Sequence, residues 1–448
     1  MSETREMGTM NIPKLGIKMS TPMVVSMISI ALYEIVDTMF ISKISNDALT
    51  TIALSIPVIA IITSIGLGTS IGVNAILAKT LGEKNNKKAK KIITTGILLT
   101  LTSWLVIALI SLIGIKPFFT YFTKNKEIRI LGNSYLSIVA TFSIGSLFQI
   151  LFEKTLEAYG KAKSSMIVQF SGAVINLILD PILIFGMFNF PELGIKGAAI
   201  STVIGQCFGM LLGLFIILKN KIIKINDIFI FKANRSIAKE IYKVGFPTII
   251  LESLNSFITL ILNKILISFS ESAITVWGIY NQLQKFVIII VYGLNYGMIP
   301  IVAYNWGAKE KERIKECIAF FLKLSASVVL IGQFIFLVFP EKIISIYDIT
   351  SEVLNIGIPA LRILSLGFIF TGISLVLSAS FQSFGNGIYS LIVNLSRKII
   401  FSLPLILLLK PIIGIYSIWI SFPMAEVITM IISIILFKKI KNNIIEKI

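Results

Sequence analysis

Long apolar runs separated by short polar loops dominate the chain. VVSMISIALYEIV at 24–36 and NLILDPILIFG at 176–186 are two samples. Twelve such runs have cores at 16–41, 52–78, 92–115, 131–152, 165–188, 197–218, 241–268, 275–304, 317–339, 356–380, 387–409 and 412–437. A helix rising 1.5 Å per residue needs about 20 apolar residues to cross hydrocarbon, and these runs have that length. In lipid every backbone N–H and C=O must find an internal partner, so runs of this length can only be helices. The pattern predicts an all-α integral membrane protein with twelve transmembrane helices.

The pattern also repeats. LGTSIGVNAILAKTLGEKNNKKAKK starts at Leu67 and YGLNYGMIPIVAYNWGAKEKERIKE starts at Tyr292. A shift of 225 superposes Gly68 on Gly293, Gly72 on Gly297, Ala78 on Ala303 and Gly82 on Gly307. A weaker echo pairs GIKGAAIS at 194–201 with GIYSIWIS at 414–421. The copies lie six spans apart, an even number, so both have the same orientation. That predicts two pseudo-symmetric six-helix lobes about an axis along the membrane normal, with a substrate path between them. The expected N-terminal lobe is 1–218, the C-terminal lobe is 241–448, and 219–240 is a basic cytoplasmic linker. The four-residue glycine spacing equally suits close helix packing.

Composition sharpens this picture. Of 448 residues 55% are hydrophobic and 14% charged, against about a quarter charged in soluble domains. The mean hydropathy is +0.89. A net charge of +18 on a soluble chain would point to nucleic acid. Here the cations cluster in loops: 27 Lys and Arg lie at the termini and in every second loop, against eight in the alternate loops. The positive-inside rule then places both termini in the cytoplasm of a multi-pass protein of a bacterial cytoplasmic membrane, with lipid and not nucleic acid as its surroundings. Cys207 and Cys317 form neither a disulfide framework nor a metal pattern. The chain has no histidine, so any proton relay must use carboxylates. No cleavable signal pattern precedes the first span, and no GxxxxGK[ST] stretch offers an ATP site.

Polar residues inside apolar runs carry the candidate chemistry, because a mid-bilayer charge costs roughly 2.5–3.5 kcal/mol on insertion scales. Tyr33 and Asp37 share one face of the first span, and Pro22 should bend that helix. Asn176 and Asp180 share a face of the fifth span, and Ser201 and Thr202 sit in the sixth. Two carboxylates, an amide, a phenol and a hydroxyl suit Na⁺, and Asp37, Asp180 and Asn176 are its candidate ligands; desolvated, the same acids could hold a proton. The bland alternative leaves both acids at helix ends facing headgroup water. Glu34 reads as an accessory or boundary residue. In the second half, Glu252 and Asn255 follow Pro247, and Lys264, Asn281, Gln282, Lys285, Arg362, Arg397, Lys398 and Glu426 are also in or near spans. Lys285 and Arg362 are expected to neutralise Glu252 or Glu426. Alternatively Glu252, with Asn255, Gln282 and aromatics such as Phe148, Phe257, Trp277, Tyr280 and Tyr292, binds a cationic substrate; for each aromatic alone, packing is the simpler account.

VDTMFIS at 36–42, LAKTLGEKN at 77–85, NLILDPILIFG followed by LGIKGAAISTVIGQ at 193–206, and PIVAYNWGAKEKERIKE at 300–316 together resemble the MATE (multidrug and toxic compound extrusion) transporters over nearly the whole chain. The resemblance implies secondary antiport rather than enzymatic chemistry: an organic cation or drug leaves as H⁺ or Na⁺ enters, with no other cofactor, from a monomer. It places the prokaryotic N-terminal-lobe cation site on Asp37, Tyr33, Asn176, Asp180 and Thr202, and a bending proline on Pro22. The branch with a C-terminal-lobe site carries a carboxylate in the tenth span. None lies between Ile356 and Ser380 here, although Glu252 resembles that branch's seventh-helix acid. The alternative is a lipid-linked oligosaccharide flippase of the same broad superfamily, favoured by Arg362, Arg397 and Lys398 and opposed by Asp37 and Asp180.

Overall fold

The computed structural model describes residues 2–224, 234–347 and 350–448; the side chains of residues 2, 255–257 and 260 lie outside the description. In chain order the helices are α1 (Ser2–Thr9), α2 (Ile12–Ser42), α3 (Asn46–Gly82), α4 (Asn86–Phe122), α5 (Lys126–Thr141), α6 (Ile144–Ala158), α7 (Ala162–Phe185) and α8 (Ile195–Lys219). Then come α9 (Arg235–Ile267), α10 (Glu271–Gly307), α11 (Lys311–Val338), α12 (Pro340–Ile344), α13 (Ser351–Ser365), α14 (Phe368–Ser383), α15 (Gly387–Leu395), α16 (Ser402–Ile413) and α17 (Tyr416–Ile440).

Among the described residues nine helical segments are long and apolar enough to cross a bilayer singly, and two bent pairs bring the number to eleven. The 33-residue α9 completes the expected twelve. The fourth and tenth spans depart from the expected straight helices: α5 and α6 meet at 41°, α13 and α14 at 46°. At these breaks Ser143 and Ser365 turn their hydroxyls back onto the carbonyls of Ala140 and Arg362, each at 2.8 Å. The eleventh span is interrupted too, by a π-helical turn at Ser396–Ile400 between α15 and α16.

The 225-residue repeat holds in three dimensions. α3 and α10 have bounds that differ by 225 at both ends, and so do the pairs α5–α6 and α13–α14. Equivalent serines cap α3 and α10: Ser45 accepts from the Ala48 N–H at 3.0 Å, Ser270 from that of Ala273 at 3.1 Å. Lys84 and Lys309 take left-handed conformations at equivalent turns, with φ 57° and 62°. The weaker echo is structural as well: Gly194 and Gly414 share φ near 55° and ψ near −130°.

Glycines decide how closely the two halves approach. A Cβ on Gly82 would strike the Tyr304 carbonyl oxygen and stand 2.9 Å from the Ala308 nitrogen. A Cβ on Gly307, the equivalent position, would strike the Lys79 carbonyl oxygen and stand 3.1 Å from the Glu83 nitrogen. One turn and more up each helix the same exchange recurs: Gly68 and Gly72 of α3 lie against Gly245 and Ile241 of α9, while Gly293 and Gly297 of α10 lie against Val24 and Ser20 of α2. Each half thus lays its second long helix on the first long helix of the other, backbone to backbone. Pro22 sits between those contacts, and α2 runs through it without a break.

The small helix α1 lies across this junction. Thr4 Oγ1 donates to the Tyr159 carbonyl at 2.9 Å, and Glu3 pairs with Lys161. From the other half, Asn305 Nδ2 and Arg313 Nη2 donate to the Met7 carbonyl at 3.0 and 3.1 Å. Met7 is fully buried.

Overpacking such a contact costs about 1–3 kcal/mol, so Gly307→Ala should lower the thermal-unfolding midpoint of the detergent-solubilised protein measurably. Gly278→Ala is the control, because a Cβ there meets nothing within 4 Å. Equal midpoints for the two variants would count against a backbone-limited junction.

Candidate functional site

Two glycines of α8 shape the first site. A Cβ on Gly197 would strike the Leu183 carbonyl, and one on Gly205 would stand 2.5 Å from the Gly172 carbonyl oxygen. α7 and α8 therefore touch on both sides of Ser201 and Thr202, and the polar residues between are pressed together. Asn176 Nδ2 donates to Thr202 Oγ1 at 3.2 Å and lies 3.4 Å from both Ser201 Oγ and Asp180 Oδ1. Ser201 donates to Asp180 Oδ1. Thr202 turns its own hydroxyl proton to the Ala198 carbonyl at 2.9 Å. Asp180 is fully buried and Asn176 nearly so.

α2 supplies the rest. The Tyr33 hydroxyl meets Thr202, and the Asp37 carboxyl meets that of Asp180. The five expected cation-site residues are thus one cluster, contributed by three helices. Three of its buried oxygens, Asp37 Oδ1, Asp180 Oδ2 and Asn176 Oδ1, receive no hydrogen bond from any described residue. A buried acceptor without a donor is costly. Facing carboxyls can bond to one another only across a proton or a cation. The donor set is all oxygen, which suits a hard monovalent cation or a proton. Sequence reading missed Tyr135 of α5, whose buried ring lies near both acids. A tyrosine in an amphipathic run carries no signal of its own.

The second half holds a cavity of about 590 Å³. Trp277, Tyr280, Lys285, Arg397, Lys398 and Glu426 line it, together with Phe422, Tyr292, Asn281 and Gln284. Trp277 and Phe422 stack with ring centres 4.7 Å apart. Of the expected substrate residues, Tyr280 faces this cavity. Gln282 does not line it and is exposed; the helix turns Asn281 and Gln284 inward instead. Glu252 lines a smaller neighbouring cavity with Tyr292 and Lys398. Phe148 is buried against Phe152 in the core of the first half, at neither cavity. The side chains of Asn255 and Phe257 lie outside the described residues.

The expected ion pairs are also corrected. Glu426 pairs with Arg397, whose Nε and Nη2 both reach Glu426 Oε1 at 2.9 and 2.8 Å. Lys285 pairs with Glu34 of α2, across the two halves. Arg362 is exposed, its Nε donating to the Leu337 carbonyl at 3.3 Å. Arg397 and Lys398 both lie within the π turn Ser396–Ile400, and both line the cavity wall.

An all-helical, multi-span fold built from two repeats, with buried acids in one half and a cavity in the other, defines a membrane transporter. The MatE family model matches residues 22–182 and 247–408, most of the chain and both repeats, and the chain belongs to that family. It is 27% identical over 430 residues to the FAD transporter of Shewanella oneidensis, covering 93% of this chain and 92% of that protein. It is 26% identical over 442 residues to the multidrug export protein MepA of Staphylococcus haemolyticus, covering 97% and 95%. The crystal structure of MATE in the bent conformation superposes with a TM-score of 0.91 at 20% identity, covering 100% of this chain and 99% of that one.

Removing one member of a buried ion pair costs about 3–5 kcal/mol, whereas replacing both by apolar residues is often neutral. Glu426→Leu alone should therefore destabilise the protein strongly, and Arg397→Met with Glu426→Leu should recover most of the loss in thermal denaturation. A double variant no better than the single one would refute the pairing.

Proposed function

We propose that this chain is a secondary multidrug efflux antiporter in which Asp37 and Asp180 carry the coupling ion. The contact between the two carboxyls, with three donorless oxygens around it, is the observation that supports this reading most. The names of the similar export proteins support drugs as cargo. The basic loops favour both termini in the cytoplasm, with lobes 1–218 and 241–448 joined by the linker 219–240. On that orientation the glycine junction and α1 close the cytoplasmic side, and the site opens outward.

The mechanism follows from charge. With no ion bound, two facing carboxylates repel and hold water, which keeps α2 away from α7. H⁺ or Na⁺ arriving from outside neutralises them. Repulsion and hydration fall, α2 closes on α7 and α8, with Pro22 as the place where its ladder is weakest. Cargo between the lobes is expelled outward, and the lobes then rock about the glycine junction to present the site inward, where the ion leaves. Tyr33, Asn176, Ser201 and Thr202 orient the acids and replace part of the ion's hydration. Of the three cations that favour the flippase alternative, Arg362 lies outside the cavity and Arg397 and Lys398 line it; the acids Asp37 and Asp180 oppose that reading.

Ethidium efflux from proteoliposomes under an imposed H⁺ or Na⁺ gradient tests the coupling. Coupling free energies of about 1–3 kcal/mol correspond to about 5- to 150-fold in affinity, so Asp180→Asn and Asp37→Asn should each lose gradient-driven efflux by about fivefold or more. Collapsing one gradient at a time identifies the ion. Undiminished efflux by Asp180→Asn would sink the proposal.

A further inference from the structure

The charge of the second cavity is opposite to that of the first site. Its wall carries three cationic side chains, Lys285, Arg397 and Lys398, and one carboxylate, Glu426. That carboxylate already holds Arg397. Lys285 is held from outside the cavity by Glu34, and both of these side chains are about half exposed, so their bond is readily exchanged. Lys398 borders the smaller cavity with Glu252 as well.

Arg397 is nine-tenths buried, and Glu426 fixes its plane through Nε and Nη2. A guanidinium has five N–H groups, so donors remain for a ligand. Trp277, Phe422 and Tyr280 line the same cavity, with Trp277 packed between the other two rings. At about 590 Å³ the space falls within the range of about 300–1,000 Å³ common for organic ligands. A cationic ligand would meet three like charges on this wall, an anion only that of Glu426.

We propose that the cavity of the C-terminal half is a binding site for a planar aromatic anion bearing a phosphate or carboxylate, with Arg397, Lys398 and Lys285 on the anion and Trp277, Phe422 and Tyr280 on the ring. This deepens the transport reading and rests on it for the statement that the ligand is cargo. It also gives the cargo a lever on the ion site. An anion that takes Lys285 releases Glu34, three residues from Asp37 on α2.

Binding can be read without transport. The full chain, in phosphatidylcholine nanodiscs, is titrated into flavin mononucleotide and followed by fluorescence polarisation. Saturable binding is expected, weakening as salt rises. Riboflavin, the same ring without the phosphate, should bind about tenfold or more weaker, given the strength of charge-assisted hydrogen bonds. The exposed Lys285→Gln should weaken flavin mononucleotide about threefold or more, as for loss of one charge pair. Arg397→Gln with Glu426→Gln, which removes both charges together, should cost about tenfold or more. Nanodiscs with added phosphatidylglycerol should give the same affinity; its loss there would assign the site to lipid headgroups and overturn the proposal. Equal binding of riboflavin and flavin mononucleotide, no binding of either, or an unweakened Lys285→Gln would overturn it too. Ethidium efflux measured on the same preparation reports on the transport reading separately.

Discussion

The backbone contact between Gly82 and Gly307 is the constraint on which the rest of this structure depends. At each of these positions the next atom outward is a carbonyl oxygen of the opposite half. A contact limited by backbone has no side chain to rearrange, so it fixes distance as well as contact. With the ends of α3 and α10 pinned to each other, the first long helix of each half must lie on the second long helix of the other. Lipid supplies no hydrophobic drive between helices, so close packing of small residues is what remains.

The ion site is built by the same means on a smaller scale. Gly197 and Gly205 bring α8 onto α7 above and below Ser201 and Thr202. Asp180 Oδ2 and Asn176 Oδ1 receive no hydrogen bond from any described residue. A folded protein rarely tolerates such groups without a reason.

The helices were legible in the chain because apolar runs of membrane length admit one backbone solution. The repeat was legible because glycines at 68, 72 and 82 recur at 293, 297 and 307, and each is needed for a contact. The cation cluster was legible since Asn176 and Asp180 are one turn apart and could only share a face. The bends were not. Ser143 and Ser365, which sit at the bends, look like any other small polar residues in an apolar run, and serines such as Ser64 and Ser433 make the same bond in unbroken helices. The Arg397–Glu426 pair was missed for a related reason. A π turn shifts the register by one residue, and helical periodicity gives no warning of it. Gln282 failed in the same way, because face assignments along α10 need the true rotation of the helix, and that depends on its neighbours.

The two halves share a frame but not a chemistry. Shifted by 225, Asp37 falls on Leu262 and Asp180 on Leu405, so the second half lost, or never had, the acid pair. In its place stand a π turn and two adjacent cations. Repeats constrain helix bounds, caps and glycine contacts, since these hold the lobes together; they leave the lining of each cavity free to change. The acids cluster in one half, while cations and rings line the cavity of the other. Glu34 and Lys285 join the two across the cleft by an exposed ion pair. Such a pair adds little to stability in water. Its weakness is what makes it useful as a link, because either site can break it at small cost when its own ligand arrives.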